Sequence, residues 1–221
     1  MDRTKRIARI YEYLYNHYGA QGWWPGDSAL ECIIGAILTQ NTTWSNVEKA
    51  IGNLKSHNLL SVKNLSLINA DELAPIIKPS GYYNQKALKI KNFISFLTRD
   101  YGGELDKLFE EEMPYLRQRL LSIKGIGPET ADSILLYAGQ KPVFVVDAYT
   151  YRILLRHGII PEQSTYGEVQ EVFMDSLAEN PKIYNEYHAL LVKVGKEHCK
   201  KRNPLCKGCP LEPDPHTVNK Y

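Results

Sequence analysis

The sequence predicts an all-α protein with a central helical bundle and a second helical lobe formed by the two chain ends. Apolar residues recur every three or four positions along most of the 221 residues, as the buried face of an amphipathic helix requires. The apolar run at 143–146 resembles a strand, but it has no pairing partner of similar character. Turn residues separate the apolar stripes, and no long Gly/Ser linker interrupts the chain.

Eight apolar stripes predict the helices in chain order. They lie at 7–14, 30–38, 44–54, 87–97, 116–123, 131–138, 169–177 and 183–194. Gly22 and Pro25-Gly26 precede the second stripe, 79–81 precede the fourth, and Gly102-Gly103 follow it, so turn chemistry agrees with the periodicity. We expect one domain at 28–135 with a hairpin at 124–127, and a second domain made of 1–27 and 136–221 with a cysteine loop at 199–216.

Composition excludes several classes of protein. Apolar residues make up 43% of the chain and charged residues 24%, which excludes a disordered or collagen-like chain. The sequence lacks an apolar run of about 18 residues and a signal-peptide core, so we expect a cytoplasmic protein without a membrane partner. A net charge of +2 is too mild to establish a nucleic-acid partner. Three of the four cysteines lie near the C-terminus, which in a cytosolic chain favours metal binding over disulfides.

Residues 121–132 predict a helical hairpin that binds an anion. Gly125 and Gly127 flank Ile126 in a tight turn, and Pro128 is typical of a first helical position. Free N–H groups at the start of the second helix would attract a phosphate. The candidate phosphate-binding residues are Lys124, Gly125, Gly127 and Thr130. The alternative is an ordinary helix corner without a ligand; a Gly-x-Gly-x-x-Gly nucleotide fingerprint is excluded, because Thr130 takes the last position.

Further segments resemble a known family. Residues 124–147, ending in Val145-Val146-Asp147, resemble the helix–hairpin–helix and Gly/Pro…Asp signature of the endonuclease III superfamily of DNA glycosylases. Residues 38–42 and 80–87 resemble two other segments of that family, and the likeness runs from about residue 30 to 209. The resemblance implies two helical lobes with a cleft between them. It also implies a monomeric, nucleoid-associated base excision repair enzyme that acts on damaged double-stranded DNA.

The resemblance assigns the catalytic role to Asp147. Cleavage of an N-glycosidic bond develops positive charge on the sugar, which a carboxylate stabilises while it orients the attacking water. The local sequence alone favours another role for Asp147, as the N-cap of a helix that begins near Ala148. The two roles are compatible.

Glu129 occupies the position at which bifunctional family members carry a Schiff-base lysine. A carboxylate cannot form an imine, so we expect a monofunctional glycosylase that leaves the abasic site uncut. Glu129 itself is either a catalytic or water-positioning group or a first-turn charge that complements the helix dipole.

The tryptophans suggest the base pocket. Trp23-Trp24-Pro25 and the strings at 39–42 and 79–87 resemble most closely the 3-methyladenine glycosylase branch. The aromatic faces of Trp23, Trp24 and Trp44 would hold a flipped, positively charged base. Core packing is the alternative role for these tryptophans. The alternative function is a glycosylase for oxidised pyrimidines or mismatched bases that also has weak AP-lyase activity. The resemblance also predicts that Gln40 intercalates into the space that the base vacates; its alternative is a solvated helix end.

Cys199, Cys206 and Cys209 resemble the first three ligands of the family's [4Fe–4S] loop. The fourth ligand is expected at position 215, which is Pro215, so His216, Asp214 or a non-protein ligand would replace it. Zinc held by three cysteines and a histidine, or no metal at all, are the alternatives. Cys32 lies on an apolar stripe and is predicted to be core. A non-catalytic DNA-binding module is the rival from another class; a metal-dependent nuclease lacks a carboxylate cluster.

Overall fold

The computed structural model describes residues 2–23 and 26–217. It confirms the all-α prediction: no strand is present in that part of the chain. None of the helices in these ranges is both long and apolar enough to cross a membrane. The α-helices are α1 (Arg3–Tyr18), α2 (Ala29–Leu38), α3 (Trp44–Ser56), α4 (Val62–Leu67), α5 (Ala70–Ile76), α6 (Tyr83–Tyr101), α7 (Leu105–Glu110), α8 (Met113–Leu121), α9 (Pro128–Ser133), α10 (Ala148–Arg156), α11 (Tyr166–Met174) and α12 (Pro181–Glu197).

The chain divides into two compact units. One comprises Met1–Trp23 and Pro142–Tyr221, and the other Trp24–Lys141. In the second unit α2 forms the centre, because eight of its ten residues are buried and it contacts α3, α6 and α9. A helix that is apolar on nearly all sides is stable only when neighbours cover it on several sides.

In the first unit α10 and α12 pack closely. A Cβ atom at Gly195 would stand 2.5 Å from the Tyr149 ring, so the glycine permits the contact between these helices. Residues 143–146 precede α10 and are buried, but they belong to neither a helix nor a sheet. Phe144 stacks on Phe173 of α11 with 3.9 Å between ring centroids. Aromatic packing therefore replaces strand pairing for this apolar run.

The structure contains short elements that the stripes did not predict. Helices α4, α5 and α7 have six or seven residues with one or two buried side chains each, too few for a periodic stripe. A local signal was present at α5, where Asn69 and Glu72 form a capping box. Helix α8 ends at Leu121, two residues before the end of its stripe, and α9 continues into a π-helical turn at Ile134–Ala138.

Candidate active site

Asp147 lies at the N-terminus of α10. Its Oδ1 atom accepts the N–H of Thr150 at 2.8 Å, which confirms the predicted helix cap. Its Oδ2 atom lies 3.6 Å from Nε2 of His188 on α12. Burial raises the pKa of Asp147, but His188 and the Thr150 N–H outweigh it, and the pKa lies below its usual value. The position therefore holds an ionised carboxylate in a largely buried setting.

Trp23 contacts His188, the residue that faces Asp147. Its ring stacks on the His188 imidazole, with 5.6 Å between centroids and 23° between planes. The Asn185 side chain donates a hydrogen bond to the Trp23 carbonyl at 3.0 Å, which anchors the backbone there. Trp24 and Pro25 of the predicted base pocket lie outside the described residues. One predicted pocket residue is thus placed beside the imidazole that faces Asp147.

The predicted hairpin is present in the other unit. Gly125 has φ +97°, a backbone region that L side chains rarely adopt, and Ile126 is buried between the two exposed glycines. Arg117 of α8 binds the fully buried Asp132 of α9 through two hydrogen bonds of 2.7 and 3.0 Å. This paired contact fixes the two helices of the hairpin against each other.

Gln40 is bound to the hairpin. Its side-chain nitrogen donates to the Thr130 hydroxyl at 2.8 Å and to the Gly125 carbonyl at 3.3 Å. Its side-chain oxygen accepts a hydrogen bond from Nζ of Lys89 on α6. The Lys89 stem covers Gly125, where an added Cβ would stand 2.5 Å from Cγ. The predicted intercalating residue and the predicted phosphate-binding turn therefore form one hydrogen-bonded group.

Residues before and after the Gln40 segment are also held in place. Lys86 is buried and donates to the carbonyls of Leu38 and Ser80 at 2.8 and 2.6 Å. Burial lowers its pKa to about 8.

Tyr82 stands in the left-handed region at φ 46° and is 67% exposed. Trp44 is the first residue of α3 and is half-buried.

Glu129 lies in the exposed first turn of α9. Its backbone carbonyl accepts a hydrogen bond from the Ser133 hydroxyl at 2.7 Å. The Glu129 side chain lies where a first-turn charge complements the helix dipole. Because the residue is exposed, water also reaches it, as a water-positioning role requires.

The three C-terminal cysteines line one cavity, together with His216, Arg156 and apolar side chains. Arg156 points a guanidinium nitrogen at the Cys199 sulfur at 3.2 Å. Burial raises the pKa of the Cys206 thiol, and that of Cys209 to about 11, because a buried thiolate lacks solvation. Among the described residues, no three Cys, His, Asp or Glu side chains are placed to hold one metal ion.

Asp214 and His216 differ in their surroundings. The buried Asp214 carboxylate accepts hydrogen bonds from Arg6 at 2.6 and 2.9 Å and faces Nδ1 of His157 at 2.7 Å. It does not belong to the cavity lining, whereas His216 does. Nδ1 of His216 donates to the Asp214 carbonyl at 2.8 Å, so Nε2 is the nitrogen with a free lone pair in that tautomer. Of the two replacements for the fourth cysteine, the geometry favours His216.

Comparison with known proteins defines the class of this helical protein. Residues 34–179 match the family described as "HhH-GPD superfamily base excision DNA repair protein". The chain belongs to this superfamily and is a base excision repair DNA glycosylase, whose partner is DNA.

Individual relatives span most of the chain. It is 45% identical over 213 residues to the "Putative DNA repair glycosylase MJ1434" of Methanocaldococcus jannaschii, covering 96% of each chain. It is 32% identical over 184 residues to the endonuclease III of Thermotoga maritima, covering 81% of this chain and 79% of the relative.

Solved structures share the fold. The 3-methyladenine DNA glycosylase MagIII of H. pylori, bound to 1,N6-ethenoadenine, matches with a TM-score of 0.76 and 29% identity, over 89% of this chain and 98% of its own. A trapped endonuclease III–DNA covalent intermediate matches with a TM-score of 0.80 and 23% identity, over 96% and 94%. At 23% identity, the match to the endonuclease III complex shows a shared fold only.

Several residues around the site were not found from the sequence. His188 lies beside Tyr187 on an apolar stripe, a pattern typical of a core histidine. In the sequence, Lys89, Arg117 and Asp132 are not distinguishable from ordinary surface charges. Only the contacts in the folded chain connect these residues to Asp147 and to the hairpin.

Proposed function

We propose that this glycosylase is monofunctional and hydrolyses the N-glycosidic bond of an alkylated purine such as 3-methyladenine. The observation that carries the first part is Glu129 in the exposed first turn of α9, where bifunctional relatives of the resembled family carry a lysine. A carboxylate has no amine for a Schiff base, so water is the nucleophile and the strand stays intact.

Asp147 performs the chemical step in this proposal. The ionised carboxylate stabilises the positive charge that develops on the sugar and orients the attacking water. Its capping bond to the Thr150 N–H at 2.8 Å supports the role, because it fixes the carboxylate without consuming both oxygens. Preorganisation of this kind avoids reorganisation during the reaction.

Aromatic contacts support an alkylated purine as the substrate. Trp23 is half-buried, and an aromatic ring of this kind holds a flipped base by stacking. Trp44, in the other unit, is also half-buried. A cationic base gains further attraction from an aromatic face. The likeness to the H. pylori 3-methyladenine glycosylase points the same way. The competing substrates are oxidised pyrimidines or mismatched bases, and the likeness to an endonuclease III supports that alternative.

The hairpin and Gln40 form the DNA-binding part of the proposal. The exposed backbone at Lys124, Gly125 and Gly127 takes a phosphate, and Gln40 exchanges its bonds to Thr130 and Gly125 for the space that the base vacates. The basic side chains at 200–202 and Lys207 are exposed and suit further phosphate contacts.

We propose that the cysteine cavity holds a [4Fe–4S] cluster, with a zinc ion or no metal as the alternatives. A zinc site gathers four ligand atoms around one point, whereas a cluster binds each ligand at a separate iron. The three cysteines line a common cavity, as the resembled [4Fe–4S] loop requires of its ligands, and this supports the cluster. Cys199, Cys206, Cys209 and His216 would hold it, and when bound it would tie the loop together and stabilise it. No step of base release depends on it.

The test of the activity is a panel of duplexes carrying an alkylated purine, an oxidised pyrimidine or a mismatch. Free base is measured, and strand cleavage is scored with and without alkali. We expect base release from the alkylated purine, cleavage only after alkali, and no adduct on borohydride trapping. An enzyme–DNA adduct, or strand cleavage without alkali, would contradict the monofunctional mechanism.

Two variants test the roles of the Asp147 and Glu129 carboxylates. Asp147→Asn is expected to abolish base release while duplex binding stays close to that of the wild type. Glu129→Gln separates its two roles: a slower single-turnover rate assigns water positioning, and an unchanged rate assigns first-turn charge. Base release by Asp147→Asn at the wild-type rate would overturn the mechanism.

Iron and sulfide analysis of the purified protein tests the cofactor. We expect iron and acid-labile sulfide in the wild type and their loss in Cys206→Ser. Cys32→Ser is the matched control, because Cys32 is buried in α2 of the other unit. Zinc without iron would overturn the cluster assignment.

A further inference from the structure

His188 contacts two residues that the proposed function uses. Its Nε2 atom lies 3.6 Å from Oδ2 of Asp147, and its ring stacks on Trp23. All three residues belong to the unit formed by Met1–Trp23 and Pro142–Tyr221. A single buried imidazole thus stands between the carboxylate and an aromatic surface.

The His188 ring has little freedom to move. It is 4% exposed, and Phe144 meets it edge-on with 6.4 Å between centroids. Phe144 is itself stacked on Phe173. Because packed aromatic faces fix both the plane and the position of the imidazole, its nitrogen presents a constant direction to Asp147.

We propose that His188 is a positioning residue for the glycosylase reaction: its imidazole holds the Oδ2 side of Asp147 and backs the ring of Trp23. One side chain then aligns the carboxylate with the stacking surface. The inference rests on the proposed catalytic role of Asp147 and adds a residue to it.

Electrostatics give the contact a measurable consequence. Burial raises the pKa of Asp147, and the His188 imidazole is the main group that opposes this effect. Thr150 on α10 adds its N–H, and the backbone N–H of Val146, the residue before Asp147, donates to the Tyr166 hydroxyl of α11 at 3.3 Å. Without the imidazole, burial acts with less opposition, so Asp147 takes up a proton at higher pH.

The experiment measures single-turnover base release against pH, with the spontaneous rate subtracted, on the duplex that the wild type processes. His188→Leu removes the nitrogen and keeps the apolar volume. We expect a rate loss on the order of 10²-fold, which is typical of a misplaced catalytic group. We also expect the acid limb of the pH–rate profile, where the rate falls as Asp147 is protonated, to move to higher pH. Affinity for an abasic duplex should stay within about threefold, because the change affects alignment and not DNA contacts.

His188→Gln is the rescue variant, since its amide N–H reaches in the same direction as Nε2. We expect it to recover most of the rate and the wild-type position of the acid limb. Tyr184→Phe is the matched control: Tyr184 lies on the same helix and meets Phe144 edge-on at 5.7 Å, but it has no role in the mechanism. Its profile should be that of the wild type.

The outcomes are distinguishable. An unshifted profile in His188→Leu, or a glutamine variant as impaired as the leucine variant, overturns the positioning role. If His188→Leu does not fold, the glutamine variant decides alone: near-wild-type rate and profile support the inference, and a large loss contradicts it. Base release by Asp147→Asn defeats the proposed mechanism itself, whereas an inactive Asp147→Asn with an unaltered leucine variant defeats only this inference.

Discussion

Gln40 and Thr130 are 90 residues apart in the chain and share a hydrogen bond of 2.8 Å. The bond joins the segment after α2 to the first turn of α9. Lys89 holds the other end of the Gln40 amide. Any movement of Gln40 away from the hairpin therefore breaks contacts on both sides of the amide.

The contribution of this contact can be isolated by a double-mutant cycle. Thr130→Val removes the hydroxyl and leaves the Gln40 nitrogen with the longer bond to Gly125. We expect a loss of about 1 kcal/mol in the free energy of unfolding, and a coupling of about 0.5–1.5 kcal/mol with Gln40→Ala. Urea unfolding measures both. Asn46→Ala, which breaks a separate bond to Thr42 at 3.1 Å, should add to Thr130→Val without coupling.

The two hairpin glycines are predicted to respond differently to alanine. At Gly125 the φ of +97° and the Lys89 stem, 2.5 Å from an added Cβ, both oppose a side chain. We expect Gly125→Ala to lower the free energy of unfolding by about 1–3 kcal/mol. Thermal unfolding measures the loss, and a fully stable variant would contradict the strained turn.

Gly127→Ala is the companion experiment. No atom lies within 4 Å of an added Cβ, and φ is −96°, so stability should change by less than about 0.5 kcal/mol. The methyl group nevertheless occupies the space through which a phosphate would approach the turn. We expect duplex affinity to fall about tenfold, the equivalent of one or two hydrogen bonds. Unchanged affinity would argue against phosphate binding here.

Lys86 is predicted to make stability depend on alkaline pH. Burial lowers its pKa to about 8, while the unfolded chain retains the ordinary value of 10.5. Between these values the unfolded state binds more protons, so the contribution of Lys86 to stability rises with pH. The unfolding free energy of the wild type should gain about 2–3 kcal/mol relative to Lys86→Met across this window.

Lys107 is the control for this measurement. Its side chain is exposed, and Glu104 raises its pKa through a bond of 2.7 Å. The wild type should therefore show no comparable gain relative to Lys107→Met. A gain of equal size for both variants would show that burial of Lys86 is not the cause.

The buried carboxylate of Asp214 is expected to be essential for stability. Asp214→Asn leaves Arg6 without its bidentate partner and should cost about 3–5 kcal/mol. Asp175→Asn breaks the exposed pair with Arg3 at 3.3 Å and should cost less than about 1 kcal/mol. Chemical unfolding of the two variants gives the comparison. Equal losses would mean that the network around Asp214 adds little.

Local patterns predicted a large part of the fold. The long helices follow from apolar residues at helical spacing, because one buried face suffices to define them. The hairpin turn and the cap at Asp147 follow from residue types with strong local preferences. Helices α4, α5 and α7 did not follow, since a helix of two turns buries too few side chains to show a period.

The sequence by itself determined the helical class, the hairpin and the identity of the candidate carboxylate. Tertiary structure alone decided that Gln40 binds Thr130, that His188 faces Asp147 and that His216 joins the three cysteines at one cavity. The physical reason is distance along the chain. Turns and caps depend on neighbours within a few residues, whereas these contacts depend on how separate helices pack, which no local pattern specifies.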